Sequence, residues 1–329
     1  TSDSNQLGVL FNYLSYEKTK KNINQVNTIN INQNSIKNKI NKINIGVLGF
    51  GNHFTRNVAK YINNNDFNLI GACSANGISS LAAVKKYNYL FNTTDPFEIL
   101  NNKEIDTVFI STRHNTHAKY LLKSIEENKN IFIEKPIAIS LNEIDDIEKA
   151  LINYNKTLLV GYNRRFSPLS LELKKIIDKS NSNISLIYTI NSGQIDKSHW
   201  INDYSVGGGR FVSEVCHFID YIIFLLGNDI VNYNINETKS SLNECVTLTF
   251  SFRSGSIATI HYFSNGNSKI PKERIEVYEG GNIYYLNNFK NLSINRIKSS
   301  FFKMSQNKGH KEIINKFRDS IISKENFPI

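Results

Sequence analysis

The spacing of hydrophobic residues between Ile43 and Tyr162 alternates between two kinds of segment. Short apolar runs are typical of buried strands, and the segments between them are amphipathic with a helical period. Ser140 with Glu143 has the pattern of a capping box, and Asp95 is a typical N-cap residue. The predicted strands are residues 43–48, 68–73, 106–111, 130–134 and 157–161, and the predicted helices are residues 55–61, 79–87, 96–100, 115–128 and 140–154. We therefore predict a doubly wound α/β domain with a parallel sheet over residues 43–162.

The pattern changes after residue 162. Helices are predicted at residues 167–178, 210–226 and 310–323, and strands at 185–192, 230–235, 246–252, 256–263, 274–278 and 282–286. Short successive strands separated by turn residues predict an α+β domain with an open, mainly antiparallel sheet over residues 163–329. Residues 1–42 offer little to bury, apart from a strand-like run at 7–14. They are expected to be a linker or the remnant of a preceding domain.

A glycine turn follows the first predicted strand directly. Gly49 would allow a tight turn, and Gly51 would let the backbone approach a pyrophosphate. The third glycine of the usual fingerprint is replaced by Phe54. Because glycine pairs also make ordinary turns, this motif indicates a Rossmann-type dinucleotide site only together with the alternating strands and helices around it.

Composition narrows the class of protein. The 329 residues are enough for two domains, and 40% hydrophobic with 21% charged residues is typical of a soluble globular protein. The sequence has no apolar run of membrane-spanning length and no signal-like N-terminus, so a membrane location is not expected. Cys73, Cys216 and Cys245 form no C-x-x-C pair, which indicates free thiols in a reducing cytoplasm and no metal site.

The formal charge of +10 allows two interpretations. It could indicate an acidic partner such as a nucleotide-linked sugar, a uronic acid or nucleic acid. The overuse of Asn, Ile and Lys throughout the chain instead favours a compositional bias spread over the surface. Aromatic residues are not interleaved with the basic ones, so no nucleic-acid partner is expected.

Three further groups of residues could carry chemistry. Glu134-Lys135-Pro136 follows a predicted parallel strand, where Lys135 could bind a substrate hydroxyl, although a surface loop would look the same. Arg210, Glu214, His217 and Tyr221 form a polar stripe on an apolar helix, which faces either solvent or a cleft. His217 could then act as a general base. Asn163-Arg164-Arg165-Phe166 could bind an anion at the domain junction, or its arginines could form salt bridges.

Taken together, these motifs resemble the glucose-fructose oxidoreductase and inositol dehydrogenase family of NAD(P)-dependent sugar dehydrogenases. The resemblance covers about residues 43–329, and the segment from Gly207 to Asp220, after His199-Trp200, is most similar to members fused behind a zinc-type alcohol dehydrogenase half in polysaccharide gene clusters. Residues 8–14 would then be the remnant of such a half, and the missing initiator Met agrees with a fragment. The motifs are Gly49-Phe50-Gly51-Asn52, Thr112 with His117, Glu134-Lys135-Pro136, Gly161 to Phe166, and Gly207-Gly208-Gly209 leading to His217 and Asp220.

The resemblance implies a role for each matching residue. Lys135 and His217 would be the catalytic pair. The cofactor, NAD or NADP, would contact Gly49, Phe50, Gly51, Asn52, His53, Ser74, Thr112, His117, Glu134 and Lys135. The substrate would contact Asn163, Arg164, Arg165, Trp200, Arg210 and Glu214. The family also implies a homodimer or homotetramer, with a second subunit covering the sheet face that carries Val246, Leu248 and Phe250.

Two departures from the family pattern leave questions open. Many relatives carry an aspartate four residues before the catalytic histidine, where this chain has Ser213. Either Glu214 orients the imidazole from the next position, or that charge is absent. The end of the second strand has neither an acidic residue nor an arginine, so NAD and NADP are not distinguished.

The expected function is that of a cytoplasmic oxidoreductase that moves hydride to or from a carbon of a sugar, sugar acid or nucleotide sugar. One alternative is a glycosidase that uses bound NAD for transient oxidation on the same fold. A second is a non-catalytic cofactor-binding sensor or partner subunit. Lys135 and His217 favour an enzyme and Ser213 favours the sensor. Neither the sugar nor the oxidised carbon follows from the sequence.

Overall fold

The computed structural model describes residues 28–30, 42–62, 65–238, 244–295, 302–303 and 305–323. The strand-like run at residues 7–14 therefore lies outside the described residues. The first sheet has seven strands: β1 Thr28–Asn30, β2 Ile43–Leu48, β3 Phe67–Cys73, β4 Phe91–Thr93, β5 Thr107–Ile110, β6 Asn130–Ile133 and β7 Leu158–Val160. Their order is β1-β4-β3-β2-β5-β6-β7, and all pair in parallel except β1 with β4. The predicted doubly wound sheet is confirmed.

Helices connect these strands largely as predicted. They are α1 Asn52–Asn57, α2 Ile78–Tyr87, α3 Pro96–Leu100, α4 His117–Glu126 and α5 Leu141–Leu151. The capping box of Ser140 with Glu143 is present, and the side chain of Asp95 accepts a hydrogen bond from the N–H of Phe97. The strands β1 and β4 were not predicted, because each has three residues of which only one is apolar, unlike the apolar run of β7. As a result, part of the predicted linker forms an edge strand.

The second sheet has eight strands and is mixed. The strands are β8 Ser185–Asn191, β9 Ile230–Glu237, β10 Val246–Phe252, β11 Ile257–Phe263, β12 Glu273–Glu279, β13 Asn282–Asn287, β14 Asn291–Ile294 and β15 Phe302–Lys303. Their order is β15-β14-β13-β12-β8-β11-β10-β9, with one parallel pair, β8 with β11. This pair arises because β8 is inserted between strands that come much later in the chain. The mainly antiparallel prediction is confirmed.

One face of the second sheet packs on two helices of the same chain, α6 Pro168–Asp178 and α7 Cys216–Leu226. Val246, Leu248 and Phe250 lie in that core, so the prediction that a second subunit covers them was wrong. The pattern correctly showed that this face is buried, but a sequence pattern does not say what buries it. The opposite face stays open, and on it Ile257 is 51% and Phe263 37% exposed.

The C-terminal helix α8, His310–Ser323, returns to the first domain. Its Phe317 lies 5.6 Å from Phe109 and 5.7 Å from Phe132, ring centroid to ring centroid, within the core on one side of the first sheet. The predicted limits of α8 are confirmed, although the helix packs on the first domain and not on the second. This packing brings His310, at the start of α8, to the junction of the two sheets.

Candidate functional site

The two glycines of the turn after β2 have different roles. Gly49 has a φ of +89°, and a Cβ there would lie 2.4 Å from the carbonyl oxygen of Ser111. Gly51 has an ordinary φ of −93°, and a Cβ there would meet no described atom within 4 Å. Gly49 is therefore required by the turn itself, whereas Gly51 leaves open space where a dinucleotide backbone could lie. The residues at this turn fit a nicotinamide dinucleotide.

Side chains around this turn support the loop more than they face a ligand. Phe50 is buried, with its ring 4.9 Å from that of Phe54, so only its backbone could reach a cofactor. Ser74 Oγ donates to Ser80 Oγ at 2.9 Å. Thr112 Oγ1 lies 2.7 Å from Thr116 Oγ1.

The imidazole of His117 braces the loop that follows β6. Its Nδ1 lies 2.7 Å from the carbonyl oxygen of Pro136, and its Nε2 lies 3.1 Å from that of Thr112. The buried His117 ring thus ties the loop that carries Lys135 to the end of β5. The contact with Pro136 fixes the residue that follows Lys135.

A cleft of about 430 Å³ lies between the two domains, beside this turn. It contains seven of the predicted site residues: His53, Glu134, Lys135, Asn163, Arg164, Glu214 and His217. The other lining residues are Asn57, Phe218, Lys272, Gln306, Lys308 and His310. The sequence motifs from both domains therefore meet in one place.

Lys135 reaches across the cleft to the helix that carries His217. Its Nζ donates to the carbonyl oxygen of Ser213 at 3.0 Å. Residues Phe211–Val215 form a π-helical turn that leads into α7. Turns of this kind are frequent at functional sites because they alter the backbone hydrogen bonding of a helix. Lys135 takes part in no ion pair within the part of the chain that the structure describes.

The hydrogen bonds of Asn163 define the tautomer of His217. Asn163 Nδ2 donates to the carbonyl oxygen of Lys308 at 2.7 Å, which orients the amide because a carbonyl only accepts. Asn163 Oδ1 therefore faces His217 Nε2 at 3.0 Å, so Nε2 carries the proton. His217 Nδ1 is buried and has no hydrogen-bond partner among the described residues.

Burial lowers the pKa of His217 well below its ordinary value, and Arg164 and Lys135 lower it further. The imidazole is thus neutral at neutral pH, the form that can accept a proton. Glu214 does not contact it. The Glu214 carboxylate instead binds Ser192 Oγ at 2.8 Å and Lys272 Nζ at 3.1 Å.

The question raised by Ser213 is settled by these contacts. Glu214 does not replace the family aspartate at the imidazole, and Ser213 Oγ is itself buried without a hydrogen-bond partner in the described ranges. Although burial alone would raise the pKa of Glu214, Lys272 and Arg210 lower it to about 2. The structure thus supports the alternative in which His217 lacks a carboxylate partner.

The arginines predicted to bind substrate form internal ion pairs. Arg164 pairs with Glu273 through two contacts, Nε to Oε2 at 2.5 Å and Nη2 to Oε1 at 2.7 Å. Arg165 Nε donates to Asp220 Oδ2 at 2.8 Å, outside the cleft lining. Arg210 Nη1 donates to the carbonyl oxygen of Gly193 at 2.9 Å and also contacts Glu214.

Trp200 and Tyr221 also lie away from the cleft lining. The indole of Trp200 packs 4.7 Å from the ring of His114 and lies under the guanidinium of Arg113. Tyr221 is fully buried and its hydroxyl donates to Ser170 Oγ at 3.0 Å. The predicted polar stripe therefore divides between cleft and core.

Six residues of the cleft lining were not among the predicted site residues: Asn57, Phe218, Lys272, Gln306, Lys308 and His310. Lys272 precedes β12, Gln306 and Lys308 precede α8, and His310 begins α8, so these four reach the cleft only through tertiary packing. One local signal was available in Gly309, which has a φ of +85° and whose Cβ would lie 2.2 Å from the carbonyl oxygen of Asn163. A glycine before the amphipathic α8 indicates such a close approach.

The first sheet and its glycine turn define a dinucleotide-binding domain of Rossmann type. Residues 43–162 match the family model described as an oxidoreductase family with an NAD-binding Rossmann fold. Over these residues the chain is thus similar to the glucose-fructose oxidoreductase and inositol dehydrogenase family, the family whose motifs it resembles.

Curated relatives agree with this family match. The chain is 26% identical over 224 residues to the uncharacterized oxidoreductase YrbE of Bacillus subtilis, covering 66% of this chain and 64% of the relative. It is 31% identical over 141 residues to scyllo-inositol 2-dehydrogenase (NAD(+)) of the same organism, covering 42% of this chain and 40% of that one. The chain thus spans less than two thirds of the length of these relatives.

Solved structures share the fold of both domains. Levoglucosan dehydrogenase in complex with NADH and levoglucosan superposes with a TM-score of 0.75 at 18% identity, covering 87% of this chain and 91% of that one. An oxidoreductase from Thermotoga maritima has a TM-score of 0.75 at 15% identity, covering 86% and 89%. Among the described residues, none of the helices has both the length and the hydropathy needed to cross a membrane.

Proposed function

We propose that the protein is an NAD(P)-dependent oxidoreductase that moves hydride to or from a CH–OH carbon of a sugar, sugar acid or nucleotide sugar. The observation that carries this proposal is the cleft in which Lys135 and His217 meet beside the Glu134 carboxylate and next to the glycine turn. The family match over residues 43–162 supports the cofactor class. Structural neighbours that bind NADH and a sugar support the substrate class.

The chemistry follows from the state of these two side chains. A bound nicotinamide ring supplies the hydride acceptor or donor. Lys135, held by the carbonyl of Ser213, directs its remaining N–H groups to the reacting oxygen and stabilises negative charge there. Neutral His217 takes the hydroxyl proton at Nδ1, because Nε2 already carries a proton, as the C–H bond loses hydride. It returns the proton in the reverse direction. Oxidation thus converts the alcohol to a carbonyl.

The proposal is tested by identifying the cofactor and its redox change. The purified protein would be incubated with both NAD and NADP and then freed of unbound nucleotide. We expect denaturation to release one of the two preferentially, identified by mass and, in its reduced form, by fluorescence. Turnover of a sugar should change NAD(P)H absorbance in step with carbonyl formation. Glycosidic cleavage without net NADH would indicate the hydrolase alternative. Ligand-dependent partner binding without any turnover would indicate the sensor.

We also propose that the open face of the second sheet forms a homodimer or homotetramer. Ile257 and Phe263 are exposed on this face, which no described element covers. Light scattering at micromolar concentration should give a multiple of the chain mass, and Ile257→Lys should lower it. Ile322→Lys, a change of an even more exposed isoleucine on α8, is the matched control and should leave the mass unchanged. A wild-type monomer would contradict the proposal.

A further inference from the structure

Two charged clusters line the second-domain wall of the cleft, and they contain the same kinds of residue. Each contains one carboxylate, one buried arginine and one lysine that reaches the cleft. The first comprises Glu273, Arg164 and Lys308, and the second comprises Glu214, Arg210 and Lys272. In each cluster two cations share a single carboxylate, so one positive charge is left without compensation.

The first cluster is the more buried. The two contacts between Arg164 and Glu273 neutralise the carboxylate, and Tyr188 adds a hydrogen bond from its hydroxyl at 2.5 Å. Lys308 Nζ lies 2.7 Å from Glu273 Oε1, and its side chain is 19% exposed. Because Arg164 already balances Glu273, the ammonium of Lys308 adds net positive charge at the edge of the cleft. An ammonium has three donors, and this contact uses one of them.

The second cluster repeats this arrangement closer to the solvent. Arg210 Nη2 lies 3.2 Å from Glu214 Oε1, and Lys272 Nζ lies 3.1 Å from Oε2 of the same carboxylate. Lys272 is 39% exposed, so its ammonium is accessible from the cleft. Lys272 and Lys308 both line the cleft, so one ligand bound there can contact both.

The remaining charges of the cleft do not cancel this excess. Lys135 adds a cation whose described partner is a carbonyl oxygen, and Glu134 is the other carboxylate that lines the cleft. Glu134 faces His53, 3.2 Å from its Nε2. Among the described residues, the cleft and the groups bonded to its lining therefore hold five lysine and arginine cations and three carboxylates.

The position of the two lysines separates them from the dinucleotide site. Lys272 immediately precedes β12 and Lys308 lies two residues before α8, on the same wall as His217. The glycine turn with its open space at Gly51 belongs to the opposite, first-domain wall. An anion bound by these lysines would therefore belong to the molecule that reacts at His217.

Resting on the proposed function, we propose that the substrate carries an anionic group, a carboxylate or a phosphate, that binds Lys272 and Lys308 while its CH–OH carbon reacts at Lys135 and His217. A partly buried cleft with an excess of cations favours such a ligand over a neutral sugar, because solvent screens these charges only in part. A neutral sugar would leave two lysine charges uncompensated when it excludes water from the cleft.

The experiment compares matched neutral and anionic ligands on the protein saturated with NADH, so that the dinucleotide site is filled. Calorimetry would measure the affinity for hexoses, for the corresponding hexuronates and hexose phosphates, and for inorganic phosphate. We expect tighter binding of the anionic series, with the hexuronate and phosphate arms identifying the group. Lys308→Met and Lys272→Met should each weaken anion binding about ten- to hundredfold, the range of a charge-assisted hydrogen bond. Neutral hexoses should be unaffected.

Two controls distinguish charge from folding. Lys308→Arg should retain the anion preference, and Lys103→Met, which removes an ammonium on the first-domain surface, should bind every ligand as wild type does. Equal binding of neutral and anionic ligands, no binding of any anion, or an anion preference that survives both methionine variants would overturn the inference. Turnover of a neutral sugar with NAD would overturn it while supporting the proposed function. If the wild-type protein did not bind NADH, this result would instead contradict the proposed function.

Discussion

Replacing His217 by alanine is expected to lower the rate of hydride transfer by about 10²- to 10⁴-fold, the usual contribution of a positioned general base. The neutral imidazole is held in the cleft by Asn163 and is stacked 5.7 Å from the ring of Tyr162. Glu214, the other base on this helical segment that lines the cleft, is engaged by Ser192 and Lys272. Stopped-flow measurement of NADH formation would give the rate, and fluorescence titration would show that NADH affinity is nearly unchanged.

Lys135→Ala should cause a loss of similar size, and the double variant should lose much less than the product of the two. The reason is that both side chains serve one proton transfer, so removing either one disables the same step. Lys135 and the carbonyl of Ser213 join the loop after β6 to the helix of His217, which makes the two positions directly coupled. Independent, multiplicative losses would show that the residues act in separate steps.

Folding defects must be separated from loss of the base. His217→Gln keeps much of the buried volume and is the second variant to measure if His217→Ala unfolds. The matched control is His199→Ala, because His199 is exposed outside the cleft lining, where its Nδ1 accepts a hydrogen bond from the N–H of Ile201. It should retain wild-type turnover. Hydride transfer at the wild-type rate in both His217 variants would show that another group exchanges the proton.

The pH profile gives a further readout of the same assignment. The neutral imidazole is the base, and it predominates above a pKa that lies well below the ordinary value. The oxidation rate should therefore stay flat with respect to this group through neutral pH and fall only in acid. Asn163→Asp would place a carboxylate beside Nε2, raise the pKa of His217 and move the acid limb to higher pH. If the acid limb of the rate profile stayed at the same pH in Asn163→Asp, the limb would report the titration of another group.

The sequence predicted the first domain well because its information is local. Apolar runs are typical of buried parallel strands, and a cap such as that of Ser140 involves residues only a turn apart. The strands β1 and β4 were missed because they form through pairing with distant partners, Thr28 with Thr93 for example. Period and capping rules contain no information about such pairs.

The candidate site was predicted where one motif supplied several contacts. Lys135 and His217 meet as expected, but Lys272 and Lys308 reach the cleft from loops with no recognisable spacing. The arginines were predicted as substrate ligands, but the structure shows that they form internal ion pairs. An arginine beside a cleft is compatible with ligand binding or with an internal ion pair, and only the position of Glu273 shows that Arg164 is paired.

The second large effect is expected at the glycine turn. Substitution of Gly49 should lower stability, whereas substitution of Gly51 should lower cofactor affinity. Gly49→Ala forces a side chain into a φ of +89° and against the carbonyl of Ser111. Left-handed strain and overpacking together should destabilise the domain by about 2–6 kcal/mol. The melting temperature of the cofactor-free protein should fall clearly, and cofactor binding should weaken only as a consequence.

Gly51→Val should instead leave the melting temperature of the cofactor-free protein unchanged, because its φ of −93° suits valine and its Cβ would meet no described atom within 4 Å. The isopropyl group would occupy the space predicted for the pyrophosphate. We expect at least about a hundredfold loss of dinucleotide affinity, roughly 3 kcal/mol, measured by calorimetry with NAD(H) and NADP(H). Gly51→Ala should give a smaller loss in the same direction. If both dinucleotides bound Gly51→Val with wild-type affinity, the open space at Gly51 would not be the cofactor site, and the proposed orientation of the cleft would be wrong.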